Sequence, residues 1–341
     1  MINVTALNAW DPEMFTAWYA AYHEGNAAGR HAPLIFPAPV VLDRLTKESR
    51  SIRRPFGVFE GGLCLGAAML DWDPEQNAHL GNIEVCVPPA HRRSGIGTAL
   101  LERLSREANN AGLTTLMAAV YTADSGSRDL EFARQAGFAT VHTEDHMVMD
   151  LPAPQETLDG WVSSSAAPVL GYTSHSWQGP TPADRQEKMA ALQSAMNIDV
   201  PSGEMDFDPF MVTVQELAEM DARMARRGYI TFTTVASAPT GEPVGYSRVF
   251  TQAEAQHHVM QDDTWVHSAH RGHRIAAWLK AENIALVQSM VPQARFLHTF
   301  NAQTNVAIQT LNRRFGFRRT EVLHEVQRGG RPSPTSPDQP S

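Results

Sequence analysis

Residues 91–104, HRRSGIGTALLERL, decide the fold, because a close copy of them, HRGHRIAAWLKAEN, returns at residues 270–283. The two copies stand 179 residues apart, and the Gly-Phe pairs that begin at Gly137 and Gly316 are separated by the same 179 residues. Chance similarity would not keep one spacing at two places. The sequence therefore predicts a duplicated domain.

The length of 341 residues is comfortable for two domains, each with its own core. We predict an N-terminal domain over residues 1–152 and a C-terminal domain over residues 171–327. Residues 153–170, APQETLDGWVSSSAAPVL, are rich in Pro, Ser and Ala, which is typical of a linker. Residues 328–341 are rich in Pro and Ser, so we predict a disordered tail there.

The composition indicates a soluble, globular protein, with 43% hydrophobic and 19% charged residues and no apolar run long enough for a membrane span. A net charge of −9 argues against a general nucleic-acid surface, which needs clustered Lys and Arg. No secretory signal precedes Trp10, so a cytoplasmic location is the default expectation. Cys64 and Cys86 lie in apolar runs and are predicted to be buried, reduced thiols.

Each half shows the same order of elements, in which a meander of strands is followed by helix, strand, helix and strand. This order predicts a mixed α/β sheet. The main predicted features are a helix at 12–28, a hairpin turn at 60–62, a helix at 95–111, a strand at 138–150 that closes the first sheet, and a helix at 271–290.

The turn between a strand and the helix near Gly95 is a candidate anion site. Main-chain N–H groups at a helix start have no intrahelical partner, and the helix dipole favours negative charge there. Gly95 and Gly97 let a phosphate approach the backbone, and Arg92 and Arg93 add positive charge. A glycine at a helix start is also common for architectural reasons. The P-loop and dinucleotide fingerprints are absent, since no Gly-Lys-Ser/Thr string occurs and Leu100 replaces the third glycine.

The string VPPAHRRSGIG, residues 87–97, resembles at every position the acyl-CoA signature of the GCN5-related N-acetyltransferases (GNAT), Val-x-Pro-x-x-Arg/Gln-x-x-Gly-x-Gly/Ala. The helix, strand and Ala-Gly-Phe triplet that follow stand where the family places its second half, so the likeness spans most of residues 1–150. The second copy resembles the signature less closely, with Ser268 for the proline and Arg274 for the first glycine. The whole chain looks like a tandem member, an arrangement seen in mycothiol synthase. The resemblance implies two domains, each a mixed, mostly antiparallel twisted sheet flanked by helices.

The resemblance further implies that acetyl-CoA is the cosubstrate and that main-chain amides at the helix start hold its diphosphate. The main chain of the first copy would also bind the pantetheine arm and polarise the thioester carbonyl. The implied cofactor-binding residues of the first copy are Cys86, Val87, Arg92, Arg93, Ser94, Gly95, Ile96, Gly97 and Thr98. Those of the second copy are Val266, Arg271, Gly272, His273, Arg274, Ile275, Ala276 and Asn305. The first copy keeps the full loop pattern, so we expect it to bind acetyl-CoA and catalyse, with the second copy a weaker site or a structural partner.

The family often places a base that deprotonates the amine on the strand before the signature. Glu84 holds this position, although an ordinary strand carboxylate facing solvent or an arginine would look the same. Asp263 is its counterpart in the second copy. The tyrosine that the family often uses as general acid is replaced by Ala133 and Asn312. Tyr121, at the end of the preceding strand, is a possible substitute, with packing as the alternative, and water could also protonate the thiolate.

Two other clusters have simpler explanations. His267, His270 and His273 recur every three residues, but they enter a strand-to-helix turn where this spacing need not converge, so we predict no metal site. Aromatic residues in and before the first helix fit core packing or an acceptor pocket; they are Trp10, Phe15, Trp18, Tyr19 and Tyr22.

The sequence thus predicts an N-acetyltransferase that moves an acetyl group from acetyl-CoA to a primary amine of a small molecule, without a covalent enzyme intermediate. No nucleic acid or membrane is expected as a partner, and the oligomeric state does not follow from the sequence. Two alternatives stay open. One is a non-catalytic acyl-CoA-binding sensor or scaffold, and the other is a protein acetyltransferase that acts on lysines or N-termini.

Overall fold

The computed structural model describes residues 2–47, 49, 51–75, 77–123, 127–199 and 211–329. The chain forms two compact units, as the duplication predicts, and neither unit is continuous in sequence. The first unit comprises Met1–His146, Phe300–Thr304 and Arg319–Ser341, and the second comprises Met147–Thr299 and Asn305–Arg318. Each unit contains a mixed sheet with helices packed on it, so the predicted fold class is confirmed.

The first copy of the repeat contains six strands and four helices among its described residues. They are β1 (Thr5–Ala6), α1 (Pro12–Ala27), α2 (Ala38–Thr46), β2 (Ile52–Glu60), β3 (Leu63–Trp72), β4 (Leu80–Cys86), α3 (Ile96–Asn110), β5 (Thr115–Thr122), α4 (Arg128–Gln135) and β6 (Ala139–Asp150). Helix α1 starts where the sequence predicts, because Asp11 accepts hydrogen bonds from two first-turn amides and Pro12 needs no donor there.

The second copy adds five helices and six strands among its described residues. They are α5 (Gln155–Ser163), β7 (Thr173–Gln178), α6 (Gln186–Asp199), α7 (Val214–Arg226), β8 (Tyr229–Ser237), β9 (Pro243–Gln252), β10 (His258–Val266), α8 (Ile275–Met290), β11 (Phe296–Ala302), α9 (Val306–Phe315) and β12 (Arg318–Gly329). Helix α8 begins at Ile275, four residues later than predicted. No helix of the described residues is long and apolar enough to cross a bilayer.

The sheet of the first unit has the order β1-β2-β3-β4-β5-β12. Among the described residues, the parallel pair in this sheet is β4 with β5. This pair is short, since Leu80–Asn82 pair with Thr115–Met117 and the ladder stops there. Beyond this point β4 continues beside β3, with Cys86 opposite Ala67, while β5 continues beside β12. The two strands therefore separate and leave a gap in the sheet, and this gap positions the candidate site.

Helices cover both faces of the first sheet. The apolar stripe of α3 packs into one core with Phe56 and Leu70, as the four-residue spacing predicts. On the other face α1 buries Trp18 in a core that also contains Cys64 and Cys86. Both thiols are buried and unoxidised, so the cysteine prediction is confirmed.

The last strand of each copy contributes to the opposite unit, β12 along nearly its whole length and β6 from Met147 onward. Strand β12 pairs antiparallel with β5 along eight residues, and its Val326 is buried in the core of the first unit. Conversely, Met147 and Met149 at the end of β6 pack beside Phe232 in the core of the second unit. The expectation that residues 138–150 close the first sheet is therefore corrected, and with it the sequential division into 1–152 and 171–327.

Two further boundary predictions change. The predicted linker, 153–170, contains helix α5, whose Leu158 is buried in the second core. Composition misled the prediction, because a short helix capped by Pro154 resembles a Pro/Ser-rich linker in sequence. Of the predicted tail, Arg328 and Gly329 form the end of β12, and the remaining residues 330–341 lie outside the described part of the chain.

The second unit repeats the separation of parallel strands. Its sheet contains β11-β10-β9-β8-β7 in that order. Strands β10 and β11 pair only from His258 to Met260, after which β10 continues alongside β9 through a bulge between Gln261 and Thr264. Both copies therefore have the same gap.

Candidate functional site

The start of α3 is built as an anion site. Gly95 is the N-cap with φ 85°, Arg93 has φ 64°, and no side chain caps the helix. The first amides of α3 therefore have neither an intrahelical nor a side-chain partner. Arg93, Ser94 and Gly95 are exposed, so these amides are open to a ligand at the positive end of the helix dipole.

The Arg92 side chain donates hydrogen bonds to main-chain carbonyls around this turn. Its Nε donates to the Val87 carbonyl at 2.9 Å and its Nη2 donates to the Gly25 carbonyl at 3.3 Å. In the second copy Arg271 Nε donates to the Val266 carbonyl at 3.0 Å in the same way. The Arg92 guanidinium is thus engaged by main-chain carbonyls, while its Nη1 lies 4.0 Å from Asp129 Oδ1 at the exposed rim.

The second loop has the same backbone with the glycine moved. Gly272 has φ 90° and the N-cap Arg274 has φ 60°, at the positions of Arg93 and Gly95. Each loop thus needs two left-handed residues, and each copy uses glycine at one and arginine at the other. This explains why Arg274 is tolerated where the first copy has glycine.

The surroundings of the second loop are less favourable for a diphosphate. Ser165 donates from Oγ to the His273 carbonyl at 3.0 Å, which brings the residues after α5 against the loop. Asp199 forms an ion pair with Arg271 and accepts a hydrogen bond from Trp265 Nε1 at 2.9 Å. A carboxylate is therefore held beside the second loop, where it cancels positive charge.

The helices that flank the gap also differ between the copies. In the first unit a groove of about 430 Å³ runs between α3 and α4, lined by Thr98, Leu101 and Phe132 among others. In the second unit the counterpart of Leu101 is Lys280 of α8, which is fully buried and donates to Asn312 of α9. Burial lowers the pKa of Lys280 to about 7. The bridge joins α8 to α9 at the position where α3 and α4 leave space.

Glu84 lies on β4 just before the loop, on the face that meets α1. The Tyr22 hydroxyl of α1 donates a hydrogen bond to its carboxylate. Burial raises the pKa of Glu84, and this effect outweighs the hydrogen bond from Tyr22 and the charge of Arg44. Helix α1 approaches β4 closely at Gly25, where an added Cβ would stand 2.8 Å from the Cys86 carbonyl carbon. Glu84 is therefore a half-buried carboxylate that is hydrogen-bonded to Tyr22 and feels the charge of Arg44.

Tyr121 lies on β5, across the gap from β4, with the Arg30 guanidinium 3.8 Å from its ring centroid. Burial raises the pKa of Tyr121, Arg30 lowers it, and the charges of Glu321 and Glu84 raise it further. The structure thus brings the predicted base and the predicted acid close enough to interact electrostatically. Sequence reasoning missed Arg30 and Glu321, and it gave Tyr22 only as core packing or part of an acceptor pocket.

The second unit has its own carboxylate and tyrosine. The Tyr246 hydroxyl donates to Asp263 Oδ2 at 3.0 Å. Burial and the neighbouring Asp262 charge raise the pKa of Asp263 to about 6. Asp263 therefore keeps the chemistry expected of a counterpart of Glu84, although its tyrosine comes from β9 rather than from a helix.

The remaining predicted residues have local structural roles. Asn305 is the N-cap of α9 and accepts from the Ile308 amide at 3.2 Å, so its side-chain oxygen is already engaged. The same role in α4 belongs to Ser127, and Gly126, aligned with Asn305 by sequence, lies outside the described residues. His270 Nδ1 lies 2.8 Å from the Tyr172 hydroxyl. Among the described residues no cluster of three potential metal ligands occurs.

Comparison with known proteins shows which family model and which solved structures this chain resembles. The acetyltransferase (GNAT) family model matches residues 13–138. A tandem GNAT protein from the clavulanic acid biosynthesis pathway is similar with a TM-score of 0.74 and 23% identity, covering 97% of this chain and 99% of that one. A GCN5-related N-acetyltransferase from Sphaerobacter thermophilus is similar with a TM-score of 0.65 and 17% identity, covering 97% and 96%. No curated protein sequence matches significantly.

The duplicated mixed sheet, with an uncapped helix start at the mouth of a strand gap, defines the tandem GNAT fold over the whole chain. Within this fold the acetyltransferase (GNAT) family model matches residues 13–138, the part of the first unit that contains the loop and Glu84. Members of this family transfer acyl groups from acyl-CoA, and the open loop and groove of the first unit fit such a cosubstrate.

Proposed function

We propose that the protein is an N-acetyltransferase that takes an acetyl group from acetyl-CoA in its first unit and transfers it to a primary amine of a small molecule. One observation carries the proposal. A half-buried carboxylate with a raised pKa, Glu84, lies on the strand that leads through residues 87–95 into the uncapped start of α3. A base therefore stands next to an anion site.

The first unit would bind acetyl-CoA through main chain more than side chain. The amides from Arg93 to Thr98 would hold the diphosphate, and the end of β4 near Cys86 and Val87 would face the pantetheine arm in the strand gap. The groove between α3 and α4 offers room alongside. The second unit would serve a structural purpose, because Asp199 and the Lys280–Asn312 bridge occupy the corresponding places.

Acetyl-CoA supplies an acetyl thioester, an activated acyl group with a stable thiolate as leaving group. The amine must be neutral to attack the carbonyl carbon, so a proton moves from its nitrogen to Glu84, whose raised pKa makes it a stronger base than an exposed carboxylate. A C–N bond forms and the C–S bond breaks, and the nitrogen releases its second proton to solvent as the amide forms. Tyr121 then donates its proton to the departing sulfur, and solvent restores both groups.

The amine-transfer assignment can be tested by the release of free thiol from acetyl-CoA across a panel of small amines and peptides. We expect turnover with at least one small amine, and a loss of about 10²- to 10⁴-fold in Glu84→Gln at unchanged acetyl-CoA affinity. Glu60→Gln, which removes an exposed charge at the end of β2, is the matched control. Calorimetric binding of acetyl-CoA without any turnover would instead identify an acyl-CoA sensor, and turnover with peptides alone would identify a protein acetyltransferase.

A further inference from the structure

The last strand of the chain lies against the strand that carries Tyr121. In the β5–β12 ladder Leu323 stands directly opposite Tyr121. Two residues earlier, β12 places Glu321 inside the first unit, where it is only 4% exposed. A carboxylate encoded near the end of the second copy is thus buried at the reaction centre of the first.

Glu321 is held by a network of charged and polar groups. Arg30 Nε and Nη2 donate to its two carboxylate oxygens at 2.8 and 2.7 Å. His146 Nδ1 lies 2.8 Å from Glu321 Oε1, and its ring stacks on Phe300 at 4.3 Å between centroids. Arg30 Nη1 also donates to Asn26 Oδ1 at 2.9 Å. These contacts fix the guanidinium in a single plane, because the bidentate pair defines both its position and its orientation.

That plane lies over the ring of Tyr121. The charges that face Tyr121 are Arg30, from the turn after α1, Glu84, from β4, and Glu321, from β12. His146 of β6 contacts Glu321. Among these groups Arg30 is the cation that stacks on Tyr121, and it lowers the pKa of the phenol against the larger, opposite effect of burial.

We propose that Glu321 is a positioning residue for the reaction of the first unit: it fixes the Arg30 guanidinium over the Tyr121 ring, so that the phenol beside Glu84 can act as the proton donor. The catalytic part of this inference rests on the proposed function. The geometric part does not. The competing explanation is a buried ion pair that serves folding alone.

The two explanations predict different behaviour of Tyr121 when Glu321 is made neutral. Arg30 lowers the pKa of Tyr121 and Glu321 raises it. If Glu321→Gln releases Arg30 from the ring, the closer charge is lost and Tyr121 titrates at higher pH. If Arg30 stays in place without Glu321, only the repulsion is lost and Tyr121 titrates at lower pH. The sign of the shift in the Tyr121 titration therefore distinguishes the two explanations.

The test is an ultraviolet titration of the phenol in the full chain, with Tyr121→Phe subtracted to isolate its signal. We expect a shift to higher pH in Glu321→Gln and in Arg30→Lys, since lysine cannot make the planar bidentate pair. Glu325→Gln, on the same strand about 13 Å further along, is the control and should leave the titration unchanged. Glu321→Asp keeps the charge and should fall between the wild type and Glu321→Gln, and it replaces that variant if the latter does not fold.

Kinetics provide the second readout. We expect kcat to fall at least tenfold in Glu321→Gln with the dissociation constant of acetyl-CoA within twofold of the wild type, and the alkaline limb of the pH profile to move upward. The double variant with Arg30→Lys should lower kcat little further than Glu321→Gln alone, because both changes disrupt the same Arg30–Glu321 pair. An unchanged or lowered titration of Tyr121 in the folded variants overturns the proposal. Absence of turnover in the wild type would overturn the proposed function instead, while the titration would still decide the positioning role.

Discussion

A carboxylate placed in the first turn of α3 should separate anion binding from folding. Gly97 has ordinary φ, and an added Cβ would make ordinary contacts with Phe132 at 3.5 Å and Val87 at 3.8 Å, so the Cβ of Gly97→Asp fits without backbone strain. An acidic side chain there stabilises the helix by about 0.3–1 kcal/mol through the dipole. The same charge repels a diphosphate about 4 Å away by roughly 1 kcal/mol in water and about 4 kcal/mol at a partly buried surface. Acetyl-CoA should therefore bind roughly 5- to 1000-fold more weakly while the fold is kept.

The assay is calorimetric titration of acetyl-CoA together with thermal unfolding. Ala276→Asp places the same charge at the equivalent position in the second copy, which lies 179 residues later. We expect Gly97→Asp to lose binding with an equal or higher Tm, and Ala276→Asp to bind like the wild type. Wild-type affinity in Gly97→Asp, or loss of binding in Ala276→Asp, would refute the reasoning that assigns the diphosphate to the first loop.

Four further outcomes follow from single positions. Because Glu84 must be ionised to act as a base, kcat/KM should fall as pH drops through its raised pKa, and Glu84→Gln should abolish this acid limb in a pH–rate profile. Asp263 has a pKa near 6 in the folded state against about 3.9 when unfolded, so its protonated form favours folding. This contribution to the free energy of unfolding is complete below pH 4 and is lost as pH rises through 6. Asp263→Asn should remove this pH dependence in urea melts and raise the free energy of unfolding by at most about 3 kcal/mol at pH 8. Arg93→Gly and Arg274→Gly should each raise stability by roughly 0.5 kcal/mol, since both relieve a left-handed residue, and opposite signs in thermal melts would contradict the equivalence of the loops. Gly25→Ala should lower both Tm and kcat, because its Cβ would force α1 away from β4, and wild-type values of both would show that this close approach is unimportant.

Local features of the fold were predictable because they depend on neighbours in sequence. The four-residue stripe of α3 and the Asp11-Pro12 start of α1 appear as expected. The exchange of the last strands was not predictable, since nothing in the sequence of either strand says which β5-like edge it pairs with. In the structure the pairing is shown by the β5–β12 ladder and by the burial of Val326 in the first core and of Met147 in the second.

The site shows the same division. The glycine loop and Glu84 are visible in a single motif, because their chemistry depends on residues within about fifteen positions. Tyr22 and Arg30 become relevant only once α1 is docked on the sheet, and Glu321 only once the strands are exchanged. Arg92 looked like a phosphate ligand because its charge is readable from sequence, whereas the Val87 carbonyl that engages it is not.

On the proposal that the first unit alone binds acetyl-CoA, the strand exchange gives the second copy a structural contribution to the first unit. Its loop keeps the two left-handed residues of the first but is paired with Asp199, and its helices are joined by Lys280. What it gives to the first unit is β12, which covers the edge of β5 and places Glu321 on Arg30. An uncovered β5 would leave a row of unpaired main-chain groups and a buried cation without its carboxylate, and both are costly. Selection for the first reaction centre would therefore preserve the second copy's strand order and core while leaving its own loop free to change.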